Sequence, residues 1–367
     1  MDRPGKEKYS KEFAAMQRDY DFAVFIGRFQ PFHSGHLAVI KEGLAQASHL
    51  IVLIGSAHQP RSPRNPWTHE ERESFIRACF SDSEGKRLTC LPLMDVPYND
   101  ELWVRNVQSS VAGIVTALHS IPHQPATIAL IGHHKDHTGF YLNLFPQWGS
   151  LAVENYREIS ATPLREGLFT DGAESFLETL KQDTVIPPAV IAELERYIAT
   201  NPAYGAMREE MAFIHRYKAS WQAAPYQPTH VTVDAAVVQS GHILLIERRA
   251  YPGKGLWALP GGFVDPHEKL VDACLRELRE ETRLKVPLPV LKGSIKKQDV
   301  FDEPHRSARG RTITHAYYLE LQPSQQLPKV KGGDDAKRAR WVPLANLKPT
   351  EMFEDHYYII QSLLGSA

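Results

Sequence analysis

Two groups of residues in this chain have types and spacings that suit chemistry at phosphorus. The first is Gly27-Arg28-Phe29-Gln30-Pro31-Phe32-His33-Ser34-Gly35-His36. His33 and His36 are three apart, so at a helix start both imidazoles lie on one face, one turn apart. A helix N-terminus with Gly35 beside it offers backbone N–H groups to an anion. Two histidines at such a nest can hydrogen-bond non-bridging phosphate oxygens as charge builds in a transition state. A bare His-x-x-His is more often incidental, so the weight rests on its neighbours. The second group is Gly262, Glu268, Arg276, Glu277, Glu280 and Glu281. On a helix, Glu277, Glu280 and Glu281 are related by three and four positions and point the same way. Val271, Cys274 and Leu278 form a packing stripe about 100° around. Three like charges on adjacent turns repel. A divalent cation among them, Mg²⁺ or Mn²⁺, suits their hard oxygen ligands. A solvated acidic helix explains most Glu-rich runs, but the full spacing behind Leu256-Trp257-Ala258-Leu259-Pro260-Gly261-Gly262 argues against it here.

Other elements must hold these groups in place. Phe22–Ile26, Leu50–Gly55 and Thr127–Gly132 are short apolar runs ending at or beside a glycine, as buried parallel strands do. Helix-length segments lie between them, one opening on the capping box Thr68-His69-Glu70-Glu71. Strands alternating with helices predict an α/β, doubly wound parallel sheet, Rossmann-like, with ligands at the carboxyl ends of its strands. Gly27, Gly55 and Gly132 mark those ends. Ile186-Pro187-Pro188 then starts a helical stretch, Ala189 to Ala199 and roughly Ala206 to Trp221, broken by Pro225 and Pro228. Beyond it the period changes. His230–Val238 and Ile243–Ile246 read as strands around a Ser240-Gly241 turn, a helix runs from about Lys269 to Thr282, and Thr312–Leu319 is a later strand. The expected division is a tail over 1–20, a nucleotide-handling domain over 21–180, a helical linker over 181–225 and an α+β domain over 226–367.

Composition sets the class. A chain of 367 residues, 43% hydrophobic and 23% charged, is an ordinary globular one long enough for two cores. Its net charge of −1 gives no argument for a nucleic-acid partner. Cys79, Cys90 and Cys274 are scattered and have no zinc spacing, so reduced thiols and a cytoplasmic setting are expected. The charged start, Met1-Asp2-Arg3-Pro4-Gly5-Lys6, does not read as a signal peptide. No apolar run approaches the ~20 residues of a membrane span. Oligomeric state is left open.

The stretch Gly27–His36 resembles the nucleotidyltransferase family, and its Gly-Arg-Phe-Gln-Pro form is similar to the nicotinamide mononucleotide adenylyltransferases. Arg61–Thr68 with Glu71 and Arg72, and Ile159-Ser160-Ala161-Thr162-Pro163-Leu164-Arg165, agree with that family's later motifs. The resemblance covers residues 21 to about 170. It implies in-line attack of a mononucleotide 5′-phosphate on the α-phosphorus of ATP, with pyrophosphate leaving and Mg²⁺ accompanying the ATP. His33, His36, Arg28 and Arg165 are then the phosphate residues and Ser160 and Thr162 the hydroxyl donors. Gly27, Phe29 and Gln30 belong to the same binding stretch. Trp103 can stack on a pyridinium ring, although a half-buried helix Trp explains it as well. Asp136 is as readily a solvated loop carboxylate as a ligand.

The second group resembles the Nudix hydrolase box. That implies Glu277, Glu280 and Glu281 as metal ligands, with Gly262, Glu268 and Arg276 as structural members and Arg276 bracing Glu268. One departure stands out: Arg283 occupies the place of the usual glycine, which puts the turn out of the helix in doubt. Arg306, Arg309 and Arg311 are candidate phosphate clamps. Asp334, Asp335 and Glu354 are candidate general bases, and the sequence does not choose among them.

The order of the two domains resembles the bifunctional nicotinamide mononucleotide adenylyltransferase/Nudix hydrolases. The resemblance implies that one half makes NAD from nicotinamide mononucleotide and ATP, while the other cuts ADP-ribose to AMP and ribose 5-phosphate. Two alternatives stand against it. One is a regulator that binds an NAD metabolite without cutting it. The other is the same enzyme pair with other substrates, nicotinate mononucleotide among them.

Overall fold

The computed structural model describes residues 18–119, 124–132, 144–153, 159–170, 172–333 and 335–365. Five strands form the first sheet: β1 (Tyr20–Gly27), β2 (Ala47–Ile54), β3 (Leu88–Pro92), β4 (Ile128–Gly132) and β5 (Gly149–Ala152). All are parallel, in the order β3-β2-β1-β4-β5. That is the doubly wound arrangement the apolar runs predicted. Its switch point lies between β1 and β4, where a crevice opens beyond the strand ends. β5, with its short Gly-Ser-Leu-Ala sequence, carries too little apolar pattern to be legible beforehand.

The first helix, Ser34–Gln46, follows β1 and carries His36, with His33 as its N-cap. Thr68 caps the helix His69–Arg77 by the reciprocal capping box. Helix Asp100–Leu118 packs Val107 and Val111 on the opposite face of the sheet.

The stretch 181–225, expected as a helical linker, packs with the helix before it against the first domain. Helices Ala173–Asp183, Pro188–Thr200 and Ala203–Ser220 send Leu177, Leu180, Val190, Ile191, Leu194, Tyr197, Met207 and Met211 into the core that surrounds Phe29, Phe32 and Trp67. These helices close one side of the first domain. Ser34 confirms the join: its N–H donates to the Val185 carbonyl (2.9 Å) and its hydroxyl to the Thr184 carbonyl (2.6 Å).

The second sheet is mixed, in the order β10-β11-β6-β7-β12. Its strands are β6 (His230–Gln239), β7 (His242–Arg248), β8 (Trp257–Ala258), β9 (Gly261–Phe263), β10 (Ile295–Phe301), β11 (Thr312–Glu320) and β12 (Ala336–Pro343). β6 and β7 join through Ser240-Gly241, both at positive φ (46° and 74°), as a tight hairpin with right-handed twist requires. The helix Leu270–Thr282 lies on one face over Val233, Ala235 and Val237. The C-terminal helix His356–Leu364 lies on the other, over Ala236, Val238 and Phe301. Among the described residues no helix is long and apolar enough to cross a membrane.

Two candidate active sites

The first site forms where β1 ends. His33 Nδ1 accepts the His36 N–H (3.4 Å), and His36 Nδ1 accepts the His33 N–H (3.3 Å). This reciprocal cap stacks the two rings at 3.6 Å and 20°. Because each Nδ1 is an acceptor, each neutral ring carries its proton on Nε2. The cap thus fixes both ring orientations at the helix N-terminus. Phe29 and Phe32 hold the His36 ring from beneath, at 4.9 and 5.6 Å.

The side chains of Phe29 and Gln30 point into the protein. Phe29 is buried with φ +53°, its ring under Gly27, where a Cβ would come within 2.7 Å. Gln30 is buried too, with its amide spanning the Trp67 backbone at 3.0 and 3.3 Å. Both shape the loop instead of lining it.

Arg165 is 6% exposed and donates to the carbonyls of Pro63 (3.0 Å) and Gln30 (2.8 Å) and to the Thr162 hydroxyl (3.4 Å). It binds the loops together, with Thr162 as its partner. Burial, then Arg28, pulls its pKa down to about 10. Ser160 is exposed and makes no side-chain cap on the helix it starts. Arg28 keeps its side chain open to solvent, while the surrounding walls and Arg64 lower its pKa. Arg28, Arg64 and Arg165 thus crowd positive charge at the strand ends, which favours a polyanion. Arg72, unremarked beforehand as a structural piece, is 1% exposed and clamps the carbonyls of Arg28 and Gly55 (2.6 Å each), tying the β1 and β2 ends together. Trp103 is half-buried on helix Asp100–Leu118, 6.2 Å from the Phe145 ring. Asp136 lies outside the described residues.

The second site lies where the helix Leu270–Thr282 meets β9. Gly262 allows the closest approach: a Cβ there would fall 2.6 Å from Glu277 Oε1. The Gly261 N–H donates to Glu281 Oε2 (2.9 Å). Arg276 grips Glu268 with two donors (3.1 and 2.7 Å), as the resemblance implied. It also reaches Glu277 Oε1 (2.9 Å) and Glu280 Oε2 (3.0 Å). Burial raises the Glu277 pKa, and burial with the Glu277 charge pushes Glu281 up to about 8.

The three carboxylates share one face, but among the described residues no three ligating side chains converge on one point. Arg276 is the counter-charge for two of them. Hard carboxylate oxygens in a glycine-lined cradle suit a divalent cation, which must compete with that guanidinium. Arg283, in the glycine's place, still makes the turn. Its φ is +53°, and its N–H donates to the Arg279 carbonyl (3.0 Å).

The three candidate arginines separate. Arg306 is buried and doubly bonded to Asp355 (2.8 Å each), so it is no phosphate clamp. Arg311 donates to the Asp302 carbonyl and is exposed beside that carboxylate, 3.9 Å away. Arg309 lies within electrostatic reach of Asp234 and Glu354. Its guanidinium stands 5.0 Å from the Phe263 ring centre, and its buried Nε makes no hydrogen bond. Sequence reasoning missed Arg248, which lies over the Phe353 ring (4.0 Å) within electrostatic reach of Glu281 and Glu354. The available signal was a charged residue ending the apolar strand β7, where such sheets place their ligands.

Of the candidate bases, Asp334 lies outside the described residues and Asp335 is exposed. Glu354 accepts the Ala308 N–H (2.9 Å) and lies near Arg309, and burial raises its pKa.

A dinucleotide-type fold with paired histidines and an acidic glutamate helix on a second sheet define a nucleotidyltransferase joined to a pyrophosphate-cleaving domain. Comparison with known proteins agrees. The Nudix domain family matches residues 228–363 and the cytidylyltransferase-like family residues 24–96. The nicotinamide/nicotinic acid mononucleotide adenylyltransferase of Acinetobacter baylyi is 39% identical over 176 residues, 45% of this chain and 89% of that protein. The ADP-ribose pyrophosphatase of Methanocaldococcus jannaschii is 38% identical over 134 residues, 36% of this chain and 72% of that protein. The bifunctional NMN adenylyltransferase/ADP ribose pyrophosphatase of Francisella tularensis, solved with AMP and a manganese ion, superimposes with a TM-score of 0.83 at 32% identity. It covers 95% of this chain and 99% of that one. The chain belongs to the family of bifunctional NMN adenylyltransferase/ADP-ribose pyrophosphatases.

Proposed function

We propose that the N-terminal domain joins AMP from ATP to nicotinamide mononucleotide, giving NAD and pyrophosphate, and that the C-terminal domain hydrolyses ADP-ribose to AMP and ribose 5-phosphate. The observation that carries this reading is the presence of both built sites in one chain. Each sits where its fold places ligands, and one solved relative of the same bifunctional kind covers the whole arrangement.

Among the described residues of the first domain no side chain is set up as a nucleophile. Catalysis is positioning plus charge stabilisation. The Nε2–H groups of His33 and His36 and the helix N-terminus meet the phosphate chain. Arg28 supplies mobile positive charge, with Arg165 and Thr162 fixing the wall behind it. Ser160 is the remaining hydroxyl donor, and Trp103 is placed to stack on the pyridine. Nicotinate mononucleotide is the natural alternative acceptor.

In the second domain Glu277, Glu280 and Glu281 hold divalent metal, Mg²⁺ or Mn²⁺. When bound, that metal neutralises the diphosphate and lowers the pKa of attacking water. Arg309 and Arg248 grip the diphosphate. Glu354 takes the proton of the attacking water as general base, held above the ordinary carboxylate range for that task. A metabolite-sensing role without cleavage is disfavoured, because the carboxylate set is complete.

Product chromatography tests both halves. Purified protein with Mg²⁺ should form NAD from nicotinamide mononucleotide and ATP in one tube. It should form AMP and ribose 5-phosphate from ADP-ribose in the other. NAD with intact ADP-ribose would overturn the second assignment alone.

A further inference from the structure

The candidate base sits in a strained turn. Glu354 has φ +43°, a conformation that a non-glycine residue keeps only when its surroundings impose it. On one side, the Phe353 N–H donates to the Trp257 carbonyl (2.7 Å) and the Phe353 ring lies under Arg248. On the other side stands Asp355. Both its carboxylate oxygens accept from Arg306 (2.8 Å each), and the pair is 3% and 9% exposed at the side chains. Arg306 lies on the same loop as Ala308, whose N–H holds the Glu354 carboxylate. The Asp355–Arg306 pair therefore fastens together the two loops that meet at Glu354.

One further group closes this pair, and it comes from the other enzyme. The Tyr98 hydroxyl donates to Asp355 Oδ2. Its ring stands edge-on to Phe301 at 4.8 Å and packs against the second domain's core. Tyr98 belongs to the loop after β3, in the transferase half. A buried carboxylate needs its lone pairs filled to keep one orientation, and Tyr98 fills the place that Arg306 leaves.

We propose that Tyr98 is a positioning residue for ADP-ribose hydrolysis: through Asp355 it sets the turn that aims Glu354. The proposal rests on the reading of Glu354 as the base. It makes the hydrolase site incomplete without a residue of the transferase domain.

A double-mutant cycle on the full-length chain tests it. Tyr98→Phe keeps the ring on Phe301 and removes only the hydroxyl. In the wild-type background it should lower kcat for ADP-ribose about fivefold to tenfold, the scale of one lost hydrogen bond. KM and the Mn²⁺ requirement should move less than twofold. In a Glu354→Gln background, where no base remains to aim, the same change should cost less than twofold. Equal losses in both backgrounds would make Tyr98 a general stabiliser and overturn the proposal, as would unchanged hydrolysis in Tyr98→Phe alone. Wild-type hydrolysis by Glu354→Gln would remove Glu354 as the base, and the proposal with it, whatever Tyr98→Phe does.

Discussion

Glu281 is the most buried of the three glutamates proposed to hold the metal. It is 5% exposed, bonded to the Gly261 N–H, and carries a pKa raised by burial to about 8. Glu281→Gln should lower ADP-ribose hydrolysis on the order of a hundredfold or more, through loss of a metal ligand. The raised pKa has a sign for stability as well. The folded state keeps a proton on Glu281 between the ordinary glutamate value and about 8, where the unfolded chain has already released it. Without divalent cation, stability should therefore fall as pH rises through that window. Thermal melts at stepped pH in chelator should show the slope, and Glu281→Gln should reduce it. Glu210, pushed up to about 7 chiefly by burial, keeps a share of the same sign. A slope unchanged by Glu281→Gln would contradict the assignment. The arginines make a second test. Arg309→Ala should raise KM for ADP-ribose roughly tenfold, the worth of one charged contact. Arg311→Ala, on an exposed pair, should leave it within twofold. Equal effects would mean that Arg309 has no special place. The chemistry-bearing residues were legible because their spacing is rigid: Glu277, Glu280 and Glu281 fall on one helix face by period alone. Which of the loop arginines is tied up in a buried ion pair was not legible. Arg306 and Arg309 differ by three positions in a loop, and only the buried carboxylate of Asp355 decides between them.

At the scale of elements, the parallel strands announced themselves as apolar runs ending at or beside a glycine, and the capping box at Thr68 placed its helix to the residue. The helices expected as a linker over 181–225 pack on the first core. Their composition is that of a connector, yet the apolar stripes of three successive helices meet at one surface, the side of the first core. A stripe seen in sequence does not say what it faces. Leu194 is fully buried in that core. Leu194→Ala should cost about 3 kcal/mol of the first domain's stability, the usual scale for a cavity of this kind, measured by denaturant unfolding. A free linker helix would lose almost nothing. Arg283 shows the opposite lesson. The departure from the expected glycine changed the residue but not the turn, because the Arg279 carbonyl still captures its N–H.

The whole molecule is two sites in one chain with a fitted seam. His36→Ala should abolish NAD formation and leave ADP-ribose hydrolysis within twofold, since His36 caps a helix of the first sheet while the glutamates lie on the helix Leu270–Thr282 of the second; both activities measured on one folded preparation check this. The seam itself is specific. Arg64 donates to the His305 carbonyl (2.6 Å), the Gly253 N–H to Glu210 (3.1 Å), and Tyr251 to Glu209 (3.0 Å). None of these pairings shows in sequence, because each joins residues more than forty positions apart. The seam has a consequence for how the chain inherits change. Separated from its neighbour, the hydrolase half would lose the Tyr98 ring from Phe301 and the Tyr98 hydroxyl from Asp355. On the positioning role proposed for Tyr98, a change at position 98 is a mutation in one gene half whose phenotype belongs to the other.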